Sequence, residues 1–131
     1  MHRTKAVTLT ALALTMLFAP PDARAGGTAE PQPIAEIVTF RLMPGTEEAA
    51  FLSAAKATAA PVAAQPGFLR RSLSRDETGL WTDYVEWADL PSAGAAAQAV
   101  MQLPEFAPFA AAIDPASMVM RHAPVLWQLG N

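Results

Sequence analysis

The segment WTDYVEWAD, residues 81–89, places a carboxylate between two tryptophans in what its alternation predicts to be a β-strand. Successive side chains of a strand point to opposite faces, so Asp83 shares one face with Trp81 and Trp87. Tyr84 then belongs to the other face. Either the face that carries Asp83 lines a pocket whose ligand needs the negative charge, or a residue of a neighbouring strand neutralises the charge of Asp83. The first explanation makes Trp81, Asp83 and Trp87 candidates for substrate binding. Tyr84 is a fourth candidate, because it could form an aromatic pocket for a flat ligand together with Trp81, Trp87 and Trp127.

The second explanation depends on the register of the neighbouring strand. If residues 77–79 form a three-residue hairpin loop, Asp83 lies opposite Leu73. Arg71 and Arg75 then become its diagonal neighbours. An Asp–Arg contact in an apolar layer is the favoured interpretation, because paired carboxylates are more common than catalytic ones.

His122, in the predicted last strand, is the candidate catalytic residue. Imidazole side chains change charge near neutral pH, so a histidine beside a pocket can carry protons during a reaction. The alternative makes His122 a hydrogen-bonded residue at the seam of a dimer. His122 is the only histidine after residue 25, and one histidine without cysteines does not supply the clustered ligands of a metal site, so no metal is expected.

Residues 1–25 are typical of a Sec signal peptide. A short basic start is followed by an apolar run over residues 6–19, a Pro-Pro break and the small-x-small motif ARA. The run is shorter than the roughly 20 residues that a membrane span needs. We therefore expect cleavage after Ala25 and a periplasmic or secreted protein that does not associate with membranes.

The amino-acid composition excludes several kinds of site and binding partner. The chain has 131 residues, no cysteine and a formal net charge of −3, so disulfides, thiolate metal sites and a lipid anchor are excluded. An acidic protein without a basic stripe is a poor nucleic-acid binder. Residues 26–33, rich in glycine and proline, predict a flexible tether, and residues 34–131 are long enough for one domain.

Apolar patterns in this domain predict the element order βαββαβ. The four strands are expected at residues 34–42, 68–75, 80–87 and 117–127. This order predicts an α+β, ferredoxin-like fold, with a four-stranded antiparallel sheet and both helices on one face. The uncovered face of the sheet would need a partner, so we expect a homodimer in which two sheets pack face to face.

Several segments resemble the dimeric α+β barrel superfamily, in its antibiotic-biosynthesis-monooxygenase-like (ABM) branch. They are EIVTFRLMPGTEEAAFL, QPGFL, LPEFAPF and MVMRHAPVL, together with Trp87 at the end of the third strand. The resemblance covers essentially residues 34–126. Its motifs are structural, so it implies the fold and dimerisation more strongly than an activity.

The resemblance implies two kinds of chemistry: cofactor-independent oxygenation of phenolic polycycles and haem degradation. Both kinds of enzyme tend to use an asparagine and a tryptophan in the pocket, and the haem enzymes add a histidine on the second helix. Trp87 matches the tryptophan, but the only asparagine of the chain is Asn131. The segment Gln98–Met101 has no histidine, so haem is disfavoured and no cofactor is expected.

Two function classes follow from the residues and the resemblance together. The first is an exported small-molecule-binding protein resembling cofactor-independent monooxygenases that act on aromatic or quinone-like compounds. Trp87, Tyr84 and His122 would form its pocket, with substrate orientation supplying most of the catalysis. The second is a non-catalytic binding or stress-related dimer that holds a small hydrophobic ligand. Fold alone does not choose between them.

Overall fold

The computed structural model describes residues 32–130, so the predicted signal peptide and most of the predicted tether lie outside the described residues. The elements are β1 (Ile34–Phe40), α1 (Glu48–Ala57), α2 (Ala59–Ala63), β2 (Phe68–Arg75), β3 (Trp81–Trp87), α3 (Leu90–Val100), α4 (Phe106–Ala111) and β4 (Val119–Pro124). The strands form one antiparallel sheet in the order β2-β3-β1-β4. The predicted ferredoxin-like α+β fold is confirmed.

Two apolar clusters join the helices to one face of the sheet. The first contains Val62, Val85, Trp87, Ala93, Ala96 and Val100, and the second contains Phe40, Phe51, Ala55, Trp81 and Phe109. Val85 and Trp87 of the first cluster and Trp81 of the second are alternate residues of β3, and Phe40 of β1 joins the second cluster. We call this side of the sheet the helix face and the opposite side the outer face.

The β2–β3 hairpin has the register that its loop predicts. Gly79 has a φ of +85°, and the Asp76 amide donates to the Leu80 carbonyl at 2.9 Å. Glycine is favoured at this left-handed position because it has no Cβ to clash. As a result Leu73 pairs with Asp83, which places Asp83 on the helix face beside the long side chains of β2.

The first predicted helix is divided into α1 and α2 at Thr58, a fully buried residue. Pro61 lies in the first turn of α2, where its missing N–H interrupts no helical hydrogen bond. The Thr58 hydroxyl donates to the Ala55 carbonyl at 2.6 Å. This break aims the hydroxyl oxygen of Thr58 at the sheet.

The first and last strands are shorter than predicted. β1 ends at Phe40 because the next amide, that of Arg41, donates to the Ser117 hydroxyl at 2.8 Å instead of to a strand. Residues 115–117 form a 3-10 turn, so β4 begins only at Val119 and ends at Pro124. The chain after β4 then crosses the outer face, where Gln128 contacts Glu86.

Candidate functional site

A largely apolar cavity of about 300 Å³ lies between the helix face and helices α3 and α4. Small-molecule sites are concave and mostly apolar, with a few polar groups, and their volumes begin at about this size. Alanines and Val100 of α3, aromatic residues of α4 and methionines near β4 supply much of the wall. The charged residues in the lining are Glu36, Arg71 and Asp83.

Arg71 and Asp83 neutralise each other at the cavity wall. The Arg71 guanidinium donates from Nε to Asp83 Oδ1 at 2.9 Å and from Nη2 to Oδ2 at 2.7 Å. A third donation, from Nη1, reaches the Thr58 hydroxyl at 2.8 Å. The guanidinium carbon also lies 5.4 Å from the centre of the Phe109 ring, within the range of a cation–π contact. The predicted Asp–Arg contact is therefore present, and it involves Arg71.

Trp87 lines the cavity with its side chain almost wholly buried. Its ring meets Phe68 edge to face, with the ring centres 5.8 Å apart. The indole Nε1 is buried and has no hydrogen-bond partner among the described residues. Buried donors are nearly always paired, so this one is a candidate to donate to a bound molecule.

Glu36 and His122 meet at the edge of the cavity. Strands β1 and β4 pair these two residues directly, and His122 Nε2 lies 2.8 Å from Glu36 Oε2. The roles in this contact depend on the tautomer of His122: Nε2 donates to an ionised Glu36 when it carries the ring proton, and it accepts from a protonated Glu36 when Nδ1 carries that proton. Glu36 belongs to the cavity lining and His122 does not. The structure therefore places the predicted catalytic histidine behind a carboxylate, at the rim.

The other predicted aromatic residues lie away from this cavity. Trp81 is buried in the phenylalanine cluster, 4.8 Å from Phe51 between ring centres. Tyr84 is on the outer face, and Trp127 follows β4 with 77% of its surface exposed. Of the four predicted binding residues, the structure brings Asp83 and Trp87 together at the cavity.

The outer face carries a separate polar cluster around Glu86. Its buried carboxylate accepts hydrogen bonds from Arg70 at 2.7 Å, from Tyr84 at 2.6 Å and from Gln128 at 2.8 Å. Burial disfavours the charged form of Glu86, but these three donors outweigh it and hold its pKa below the ordinary value. The hydrogen bond to Glu86 and burial raise the pKa of Tyr84. This cluster fastens the C-terminal segment to the sheet.

Glu36 is a site residue that was not identified from the sequence. The signal was present, because Glu36 alternates with Ile34, Val38 and Phe40 and so occupies an apolar row of β1. The same pattern singled out Asp83 in β3. Phe109 and Met120, which also line the cavity, carry no such signal because apolar residues in a helix or strand are usual core residues.

The acidic and histidine side chains of the domain are too dispersed to bind a metal together. Within residues 32–130, no three His, Cys, Asp or Glu side chains are close enough to hold a metal ion. No helix in that part of the chain has both the length and the apolar character to cross a bilayer.

The fold matches solved structures over most of the chain. SnoaB, a cofactor-independent oxygenase from Streptomyces nogalater, is 25% identical, with a TM-score of 0.50; the match covers 76% of this chain and 96% of SnoaB. A predicted antibiotic biosynthesis monooxygenase from Bordetella bronchiseptica is 16% identical, with a TM-score of 0.63, over 73% of this chain and 99% of that one. A similar protein from Nitrosomonas europaea is 17% identical, with a TM-score of 0.62, over 76% and 95% of the two chains.

Sequence comparison agrees with the structural one. No curated protein matches the chain significantly. The family model for antibiotic biosynthesis monooxygenases matches residues 33–112, which is more than half of the chain and includes β1, β3 and the cavity-lining helices. The resemblance noted from the sequence is therefore confirmed, and the chain belongs to the antibiotic biosynthesis monooxygenase family.

Proposed function

We propose that the protein binds a small aromatic or quinone-like compound in the cavity and oxygenates it without a cofactor. The observation that carries this proposal is the cavity itself, with apolar walls and an unpaired buried indole N–H at Trp87. The likeness to SnoaB, a cofactor-independent oxygenase, supports the reaction type. Trp87 would donate its N–H to an oxygen atom of the ligand.

Such a reaction needs no cofactor when the substrate itself supplies the electrons. For a hydroquinone, one atom of O₂ replaces a ring hydrogen as a hydroxyl group and the other atom leaves as water. The two hydroquinone hydrogens go into that water, and the ring becomes a hydroxyquinone. The protein's task is to exclude solvent and hold the ring, so orientation carries most of the catalysis. The Arg71–Asp83 pair is internally neutralised and would keep its place in the wall.

Oxygen uptake over a panel of naphthohydroquinones tests this function, with the rate in the absence of protein subtracted. Ala97 lines the cavity on α3, and Ala95 is exposed on the same helix. Ala97→Leu should fill part of the cavity and weaken both ligand binding and oxygen uptake. Ala95→Leu adds the same atoms outside the cavity and should change neither. Binding without oxygen uptake by the wild type would favour the non-catalytic binding protein instead.

We also propose that the protein acts as a homodimer formed through the outer face. Large apolar side chains are exposed on β4 and the segment after it, with Val119 at 61%, Leu126 at 86% and Leu129 at 86% exposure. Exposed apolar groups of this size are typical of a surface that a partner covers. Light scattering should give twice the monomer mass at micromolar concentration. A well-folded monomer at that concentration would contradict this assembly.

Export is the remaining part of the proposal. The sequence of residues 1–25 supports a Sec signal peptide. The intact mass of the protein recovered from the periplasm or medium should correspond to a chain that begins at Gly26. A mature protein that retains residues 1–25 would overturn the periplasmic assignment.

A further inference from the structure

The contact between Glu36 and His122 joins the inside of the cavity to solvent. The Glu36 side chain is only 13% exposed and belongs to the cavity lining, whereas the His122 side chain is 33% exposed and lies outside that lining. Their side chains are 2.8 Å apart, a full hydrogen bond. A proton on Glu36 therefore has one short step to a group that water reaches.

The surroundings of Glu36 do not account for it as a structural residue. Its neighbours on the helix face are Val38 along β1 and Val85 across in β3. A carboxylate placed among apolar groups loses hydration and needs donors in return. It can accept about four hydrogen bonds, and His122 supplies one. The nearby cation in the lining, Arg71, is already committed to Asp83 and Thr58.

We propose that Glu36 accepts the hydroxyl proton of the bound ligand and that His122 passes this proton to solvent. The proposal rests on the proposed function and narrows its substrate class to neutral aromatic compounds that carry a hydroxyl group. As electrons leave the ring for O₂, the O–H bond of the ligand breaks and its proton moves to the Glu36 carboxylate. Nε2 of His122 accepts this proton while Nδ1 releases one to solvent, and the water formed from O₂ takes up a proton from solvent in exchange, so that the overall reaction stays balanced. An anionic ligand would meet the charge of Glu36 and be disfavoured.

Binding tests Glu36 without requiring turnover. We would measure Kd by calorimetry for 1-naphthol and for 1-methoxynaphthalene, which lacks the donor. In the wild type, 1-naphthol should bind more tightly than 1-methoxynaphthalene. The ratio of the Kd for 1-methoxynaphthalene to the Kd for 1-naphthol should be lower by about tenfold or more in Glu36→Leu, because a hydrogen bond to a charged group is lost. Glu36→Gln keeps a neutral acceptor and should give an intermediate ratio.

The matched control is Glu77→Leu, which removes an exposed carboxylate at the tip of the β2–β3 hairpin. It should leave the ratio unchanged. An equal ratio in the wild type, Glu36→Leu and Glu36→Gln would overturn the assignment of Glu36. The binding ratio does not depend on oxygen uptake, so it separates this inference from the proposed function.

Proton exit through His122 has its own test. In His122→Ala, oxygen uptake with naphthohydroquinone should fall, and imidazole added to the buffer should restore it in proportion to its concentration, because the vacated position opens to solvent. Naphthol binding should change little. In Glu36→Leu imidazole should restore nothing. Full activity of His122→Ala, or a loss that imidazole leaves unchanged, would overturn the role of His122.

Discussion

Replacing Arg71 by methionine removes both donors to the Asp83 carboxylate while keeping much of the side-chain volume. Asp83 accepts from Arg71 at 2.9 and 2.7 Å, and it is buried on the helix face. Removing one partner of a buried ion pair strands the other charge in an apolar layer, which typically costs about 3–5 kcal/mol of unfolding free energy. We therefore expect Arg71→Met to be severely destabilised.

The assay is equilibrium unfolding in urea at a fixed protein concentration, followed by circular dichroism. For a domain of this size, the expected loss corresponds to a fall in the urea midpoint of more than about 1 M. The control is Arg75→Met, which breaks the pair with Glu48. That contact is 3.7 Å long with both side chains about half exposed, and such pairs contribute about 0–1 kcal/mol.

A double variant separates the stranded charge from the general effect of losing Arg71. Arg71→Met combined with Asp83→Leu removes both charges and fills the space with apolar groups, a change that is often neutral for buried pairs. Its stability should return to within about 1–2 kcal/mol of the wild type. If Arg71→Met unfolds no more easily than Arg75→Met, or if the double variant is worse than the single one, the reasoning is refuted.

Three further predictions concern single residues. Because the pKa of Glu86 is lowered in the folded protein, its ionised carboxylate stabilises the fold at pH values above the ordinary glutamate pKa of 4.5, and this stabilisation is lost as the pH falls through the folded-state pKa. Glu86→Gln should therefore lower the urea midpoint at pH 7, and the urea midpoint of the variant should fall less steeply than that of the wild type as the solution is acidified. Trp87→Phe should keep the fold, because no hydrogen bond of the indole is lost, whereas Trp87→Ala should cost about 3–5 kcal/mol in the same unfolding assay. Gly67→Ala should lower the thermal midpoint of unfolding more than Gly45→Ala. Both glycines have a positive φ, but a Cβ added at Gly67 would lie 2.5 Å from Ser92 Oγ, whereas a Cβ added at Gly45 would have no atom within 4 Å. Equal shifts for these two alanine variants would contradict the steric argument.

Local patterns in the sequence were enough for the fold and for part of the site. The βαββαβ order follows from alternating apolar rows and two alanine-rich helical segments, each read within a few turns of chain. The Asp83–Arg71 contact was also accessible, because a three-residue hairpin loop sets the register of two strands that are adjacent in sequence. These inferences involve short sequence separations, where backbone geometry leaves few alternatives.

Only the tertiary structure decided which of the candidate residues share a cavity. Glu36 and His122 are 86 residues apart, and their contact exists because β1 lies between β3 and β4 in the sheet. Alanine-rich helices can pack closely against a sheet or leave a cavity, and in the folded domain a cavity remains between α3, α4 and the helix face. Tyr84 points away from that cavity because a strand sends alternate side chains to opposite faces and the helices cover only one. Periodicity in the sequence identifies the rows of side chains, but the packing of distant elements determines what each row faces.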